Sequence, residues 1–388
     1  MLKPLTRNKR YSFCVITKLR LYQFRNIDLL DLPITKKNIV LFGENGSGKT
    51  NILEAISLFS IGKGLRNESA YNMGNMASET KTGWSSTITL NENLKLQTNL
   101  EPQLDLSLKR TSKIQGENIR SHTHFSQWIN VLWITPETDQ LFLDPPAKRR
   151  KFVDRFVYAK DVLHLKRVIN FESAMRQRLK LLKTQPKLND EWLTALEQTI
   201  AEEGVALAFA RHLLLEDLSK FQPRGKEQGI LTPFTAKMDG PFEALLTMGS
   251  SLKIEEAFRQ KLYENRARDQ ESGITLFGPH RSDLSVTHHM KGMNAFQCST
   301  GEQKILLLAM IISFMEHVCF KNDQQLTVFL LDDAMAHLDE HHRFVLFHRL
   351  IANQDKNFQA WFSGTDRYLF NDLERSADFF YVPDLVGK

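Results

Sequence analysis

Cysteine is nearly absent: Cys14, Cys298 and Cys319 are the only three in 388 residues, with no CxxC spacing and no nearby histidine cluster. That excludes a disulfide framework and a zinc site of the usual spacing, and it suits a reducing compartment. Long apolar runs are also missing. The longest, Ile305 to Met315, is 11 residues, interrupted by Ser313 and bounded by Lys304 and Glu316. A membrane span needs roughly 20, so this run reads as a buried helix and no membrane partner is expected. Near the N-terminus Lys18 and Arg20 break VITKLRL, which leaves no apolar stretch for a secretory signal. A cytoplasmic protein is the expectation. Neither sign of charge is in gross excess, since the net is +6, with 42% hydrophobic and 25% charged residues. That is an ordinary globular composition with enough chain for a sizeable core, so where the charge sits matters more than its total.

What is present begins with strands. The apolar positions from Cys14 to Leu32 fit two short ones, closed by Pro33, and KNIVLFG (37–43) is a compact buried-strand run. Asn51 to Ser60 carries a helical stripe of Ile52, Leu53, Ile56 and Phe59. STITL, KLQTNL and LDLSLK, between Trp84 and Lys109, alternate like half-buried antiparallel strands. The middle is helical. Leu165, Val168, Glu172, Met175, Leu179 and Leu182 form one seam, and Leu193, Leu196, Ile200, Glu203, Leu207, Ala210 and Leu214 a second. Joined by the turn-like TQPKLND (184–190), they predict a short antiparallel helical hairpin. Further on come a helix from Glu302 to Val318 and two buried-strand runs, TVFLLDD (327–333) and FQAWFSG (358–364).

Gly43-Glu44-Asn45-Gly46-Ser47-Gly48-Lys49-Thr50 fits GxxxxGK[ST], between a buried strand and an amphipathic helix. In that context the glycines let backbone N–H groups wrap phosphate oxygens. Lys49 reaches the β and γ phosphates of ATP, the Thr50 hydroxyl takes a Mg²⁺ position, and the helix dipole faces the anion. The metal needs a carboxylate at the end of a neighbouring parallel strand, and TVFLLDD supplies one. Asp332 would hold Mg²⁺ directly or through water, with Asp333 orienting or deprotonating the attacking water. The bland alternative is an acidic pair capping the next helix. Because 282 residues separate Thr50 from Asp332, a large insertion must divide this nucleotide-binding head.

Ser299-Thr300-Gly301-Glu302-Gln303 opens the apolar helix shortly before TVFLLDD. Ser299 and Glu302 have capping-box spacing. The sharper reading is an ABC-type signature, where a helix N-terminus and a serine hydroxyl, here Ser299 with Gly301, contact the γ-phosphate held by another subunit. His337-Leu338-Asp339 then falls where a D-loop lines the dimer seam.

Together these motifs resemble the RecF family over nearly the whole chain. Tyr22-Gln23-Phe24-Arg25-Asn26 is similar to the family's NFRNY element, and Gly62-Lys63-Gly64-Leu65-Arg66 to its basic turn after the P-loop. Pro136-Glu137 and the stretch Asp144 to Asp154 resemble PED…GSPxxRRxFLD, and Gly278 to Leu284 resembles GPHRDDL. Thr138 and Asp144-Pro145 depart from the family pattern, and SGTD (363–366) lacks the switch histidine of transporter ATPases. None of these touches the phosphate or metal positions. The fold implied is α/β: a composite ABC-type P-loop ATPase head, with a parallel-sheet core plus an antiparallel sheet, and a helical lobe containing the short hairpin. Expected boundaries are 11–146 for the first half of the head, 147–272 for the lobe and 273–388 for the second half. The resemblance also implies ATP and Mg²⁺ as cofactors, Arg25 and Asn26 among the nucleotide-binding residues, and an ATP-dependent homodimer. It further implies association with single-stranded, gapped or double-stranded DNA, and work with RecR and RecO to load RecA.

A separate feature points the same way. Ala147 to Thr184 holds twelve Lys/Arg against three acids, +9 in 38 residues of a chain that totals +6. A basic run is often only a solvated helix face, but this concentration marks a candidate phosphate-binding surface carrying Arg149, Arg150, Arg176 and Arg178. The alternative is an ABC/SMC-type subunit of a structural or transport complex. It would call for arms of hundreds of residues, or for a glutamine loop and a histidine after the acidic pair, and none is recognisable.

Overall fold

Strands from the two ends of the chain meet in one sheet. The computed structural model describes residues 14–75, 83–102, 108–184, 190–222, 231–321, 325–333, 338–352 and 356–386. Their contacts form two compact units, Met1–Thr135 with Cys319–Lys388, and Pro136–Val318.

In the first unit, β1 (Ile16–Phe24), β2 (Ile27–Pro33), β4 (Trp84–Leu90), β5 (Leu94–Pro102), β6 (Leu108–Ile114) and β7 (Glu117–Asn118) form an antiparallel sheet in the order β2-β1-β4-β5-β6-β7. Along β1 buried Leu19 and Leu21 alternate with exposed Arg20 and Tyr22. Buried Ile16 and Phe24, each three positions away, lie beyond a register shift at Ile16/Lys18 and the left-handed Gln23, φ 49°. The parallel sheet contains β3 (Asn38–Phe42), β8 (Ile129–Ile134), β12 (Leu326–Leu331), β13 (Phe358–Gly364) and β14 (Ala377–Tyr381) in the order β14-β3-β13-β12-β8. β8, β12 and β13 are buried at every position, which explains why their sequences are continuous apolar runs rather than alternating ones. Helices α1 (Lys49–Ser57), α8 (Glu340–Ala352) and α9 (Val382–Val386) complete the unit. Two details correct the sequence expectation. INVLWI (β8) is an unanticipated edge strand, and the strand of the acidic pair is not next to the P-loop strand, because β13 lies between them.

The second unit contains α2 (Pro146–Tyr158), α3 (Leu163–Thr184), α4 (Asp190–Leu218), α5 (Ser251–Glu264), α6 (Arg266–Ser272) and most of α7 (Thr300–Lys321). A small sheet joins β9 (Phe234–Asp239), β10 (Asp283–His288) and β11 (Met293–Asn294). Residues 273–318 group here rather than with the head half to which the sequence reading assigns them, since β10 pairs with β9 along its whole length. The helices α3 and α4 are antiparallel neighbours: Asn170 bonds Glu203 while Arg178 bonds Glu197. The α4 seam is buried as expected at Leu193, Leu196, Ile200, Leu207 and Leu214. On α3 the buried set is instead His164, Phe171, Ala174, Arg178 and Leu182, and Glu172 is exposed. A paired arginine occupies the core position that an apolar pattern cannot reveal. TQPKLND lies mostly outside the described residues.

Candidate nucleotide site

The P-loop follows β3 directly. Gly48, with φ 105°, caps α1, and a β-carbon there would lie 2.9 Å from the Asn26 amide oxygen, so only glycine suits the turn. Lys49 is 7% exposed and its Nζ donates to the carbonyls of Gly43 and Glu44, both at 2.7 Å. Burial lowers its pKa, while the nearby Asp333 and Asp332 carboxylates oppose that shift. The lysine therefore closes the loop on itself, ready to exchange carbonyl partners for phosphate oxygens.

Thr50 and Asp332, 282 positions apart, meet here. Thr50 Oγ1 donates to Asp332 Oδ1 at 2.9 Å, and Ser363 Oγ, from the end of β13, donates to the same oxygen at 2.7 Å. Burial raises the Asp332 pKa, the Ser363 and Thr50 hydroxyls pull it down, Asp333 raises it and Arg66 lowers it. Two buried atoms at this site, Ser47 Oγ and Asp333 Oδ1, have no hydrogen-bond partner. Orphaned polar atoms are costly unless a ligand or water completes them. A hydroxyl, a carboxylate and phosphate oxygens are the hard donor set that Mg²⁺ takes, so Thr50 and Asp332 fit that ion. Ser363 is the member of this cluster that motif reading did not assign, because a serine ending a buried strand carries no pattern of its own.

Beside the loop, buried Glu54 anchors a brace. Arg25 reaches it with two bonds at 2.8 and 2.7 Å and also donates to the Asn72 carbonyl. Arg66 joins Glu54 and Asn51, and Asn51 donates to Asn26. Asn26 thus borders the P-loop. Arg25, expected among the nucleotide-binding residues, has its guanidinium engaged by Glu54 and the Asn72 carbonyl.

In the second unit, Ser299 and Gly301 are exposed at the start of α7. The Ser299 N–H and Oγ both donate to Glu302 Oε2 at 2.9 Å, and Lys291 pairs with the same glutamate. The capping box therefore exists, and it leaves the helix end open to solvent. Of the D-loop, His337 lies outside the described residues, while Asp339 caps α8 by accepting from the His342 N–H at 3.0 Å.

The family model described as RecF/RecN/SMC N terminal domain matches residues 15–385. Among curated relatives, the DNA replication and repair protein RecF of Mesorhizobium japonicum is 38% identical over 373 residues, 95% of this chain and 96% of that protein. That of Brucella abortus is 36% identical over 382 residues, 95% and 94% of the two chains. This chain belongs to the RecF family. Two solved structures, described as the recombination mediator protein RecF with ATPrS and with ATP in the RecFOR pathway, are similar at TM-scores of 0.78 and 0.76. At 19% identity, covering 95% of this chain and 97% and 98% of theirs, they show the same α/β head architecture.

Within this RecF-family chain the basic stretch is divided between paired arginines and an open face, and three of the four arginines expected on its surface are paired. Arg178 is fully buried, bonded to Glu197, Asp269 and the Leu262 carbonyl, and cannot meet a phosphate. Arg149 is held by Asp283 through two bonds of 2.7 Å, and Arg150 donates to the Ser282 carbonyl. Both tie α2 to Ser282 and Asp283 at the start of β10. Arg176 alone of the four is open, 70% exposed beside Glu172. On α3 it shares one solvent face with exposed Lys166, Lys180 and Lys183.

Proposed function

We propose that this protein is an ATP-gated DNA-binding protein of replication and recombinational repair, which binds ATP with Mg²⁺ and then dimerises on DNA. The observation that carries the reading is the meeting of Lys49, Thr50, Asp332 and Ser363 around Ser47 and Asp333, two residues with orphaned buried oxygens. A triphosphate with its cation supplies the partners those atoms lack. Hydrolysis to ADP and phosphate is slow in this reading, at or below the ~1 s⁻¹ lower edge of ordinary enzymes. Asp333 is one methylene shorter than the glutamate of faster ABC relatives and reaches an attacking water poorly.

The DNA contact is assigned to the α3 stripe of Lys166, Arg176, Lys180 and Lys183, where phosphate binding would be independent of sequence and salt-sensitive. Cooperation with RecR and RecO in loading RecA rests on family membership. So does residence in the cytoplasm; no helix among the described residues is long and apolar enough to cross a membrane.

Thermal shift by Mg-ATP tests the core of this reading. The wild type is stabilised by about 2.7 kcal/mol at a hundredfold excess of ATP over its dissociation constant. Lys49→Ala, folded but lacking the phosphate charge, is not stabilised. A full shift in Lys49→Ala would refute the assignment.

A further inference from the structure

We propose that Ser363 is a positioning residue that presets Asp332 and Asp333 for the cation of bound nucleotide, an inference that rests on the ATP–Mg²⁺ reading above. β13 separates the P-loop strand from the strand of the acidic pair, so its C-terminal end lies between the phosphate loop and the two aspartates. Ser363 there is 1% exposed. Its hydroxyl proton goes to Asp332 Oδ1 at 2.7 Å, and its oxygen accepts the Asp333 N–H at 2.8 Å. One side chain thus grips both members of the pair, one through its carboxylate and the other through its backbone.

Each grip has a consequence. Thr50 Oγ1 donates to the same Asp332 Oδ1, so this oxygen takes two hydroxyl protons and Oδ2 keeps its capacity for the cation or a cation-bound water. Thr50, with its proton directed to Asp332, has its lone pairs available to the metal, which is what a hydroxyl ligand must offer. Asp333 has φ 51°, a left-handed conformation that non-glycine residues seldom adopt and that surrounding contacts must hold. The Ser363 bond to its N–H is one such contact, and it fixes the backbone of the residue whose Oδ1 is buried without a partner.

The test titrates Mg²⁺ against binding of a fluorescent ATP analogue to the intact purified protein, for the wild type, Ser363→Ala, Ser363→Cys and Lys49→Ala. Loss of one hydrogen bond to a charged carboxylate should raise the half-saturating Mg²⁺ about tenfold in both Ser363 variants. Nucleotide affinity without Mg²⁺ should stay within about twofold, and kcat should fall more than KM rises. Should Ser363→Ala not fold, Ser363→Cys decides the matter, because it keeps the shape of the side chain, slightly enlarged at sulfur, while weakening the donor. Half-saturating Mg²⁺ equal to wild type in a folded variant overturns the proposal. So does loss of Mg²⁺-free binding in step with melting temperature, which would make Ser363 merely structural. Failure of the wild type itself to bind the analogue would instead remove the ATP reading beneath it.

Discussion

At the scale of single residues, charge counting and burial give opposite pictures of the same arginines. Arg176 and Arg178 are two positions apart on α3, yet one is open to solvent and the other is sealed among Glu197, Asp269 and a carbonyl. Sequence shows the charge but not the partner 91 positions away that makes a buried guanidinium tolerable. Arg178→Ala leaves buried Asp269 without its cation and Glu197 with Arg266 as its remaining cation, and chemical denaturation should show a loss of roughly 3–5 kcal/mol. Arg176→Ala should cost no more than ~0.5 kcal/mol while weakening DNA binding and flattening its salt dependence. Comparable stability loss in the two variants would contradict the burial argument. His280 offers a test by pH. Burial holds its pKa down to about 4, helped by Arg281 and Arg150 and opposed by the Thr275 carbonyl that Nε2 meets at 2.9 Å. The native state keeps the ring neutral, so its contribution is complete above the ordinary value of 6.5. As pH falls from there toward about 4, the unfolded chain takes up a proton that the native one refuses, and stability declines. Unfolding measured from pH 7 to 4 should decline less steeply in His280→Gln, and equal slopes would sink the idea.

At the scale of elements, legibility followed periodicity. The strands β1, β2, β3, β12 and β13 and the helix α1 announce themselves by alternation or by unbroken apolar runs closed by proline or glycine. β14 (ADFFY) does not, being half-buried with an aspartate inside it. Strand order is a tertiary property, which is why the place of β13 between β3 and β12, and so of Ser363 beside the acidic pair, escaped notice. The α3 seam failed for a related reason: apolar spacing located the helix, but a buried arginine turned its inward face. The crossing of α3, α4 and α5 depends on Gly204. A β-carbon there would lie 2.8 Å from Phe258 Cε1 and 2.9 Å from Phe171 Cε2. In an exposed helix, alanine for glycine adds about 1 kcal/mol. Here overpacking, at a typical cost of ~1–3 kcal/mol, outweighs that gain. Gly204→Ala should therefore unfold at lower denaturant, and a higher midpoint would show that the two rings yield freely.

At the scale of the whole molecule, the proposed ATP-dependent dimer would make each nucleotide the concern of two subunits. Lys49, Thr50 and Asp332 come together within one chain, and Ser299 with Gly301, at an exposed helix end, would be the part offered to another in that dimer. Ser299→Arg leaves the first set untouched, so binding of ATP by the monomer should persist within about twofold. Dimerisation should fail, because a bulky cation occupies the contact and the hydroxyl donor that would meet the γ-phosphate is gone. The same substitution removes the bonds that Ser299 Oγ makes with Glu302 at the start of α7, a capping loss of ~0.5–2 kcal/mol. A weakened helix end alone could therefore lower association. Mixing separates the two effects. A heterodimer of Ser299→Arg and Lys49→Ala chains can assemble one site with an intact P-loop from the first and an intact signature from the second. Association with a slowly hydrolysed ATP analogue, followed by analytical ultracentrifugation, should be absent in each variant alone and partly restored in the mixture. A weakened cap cannot be repaired by adding a chain that lacks its phosphate lysine, so restoration would require the trans contact. Wild-type dimerisation by Ser299→Arg would leave Ser299 as a helix cap and nothing more.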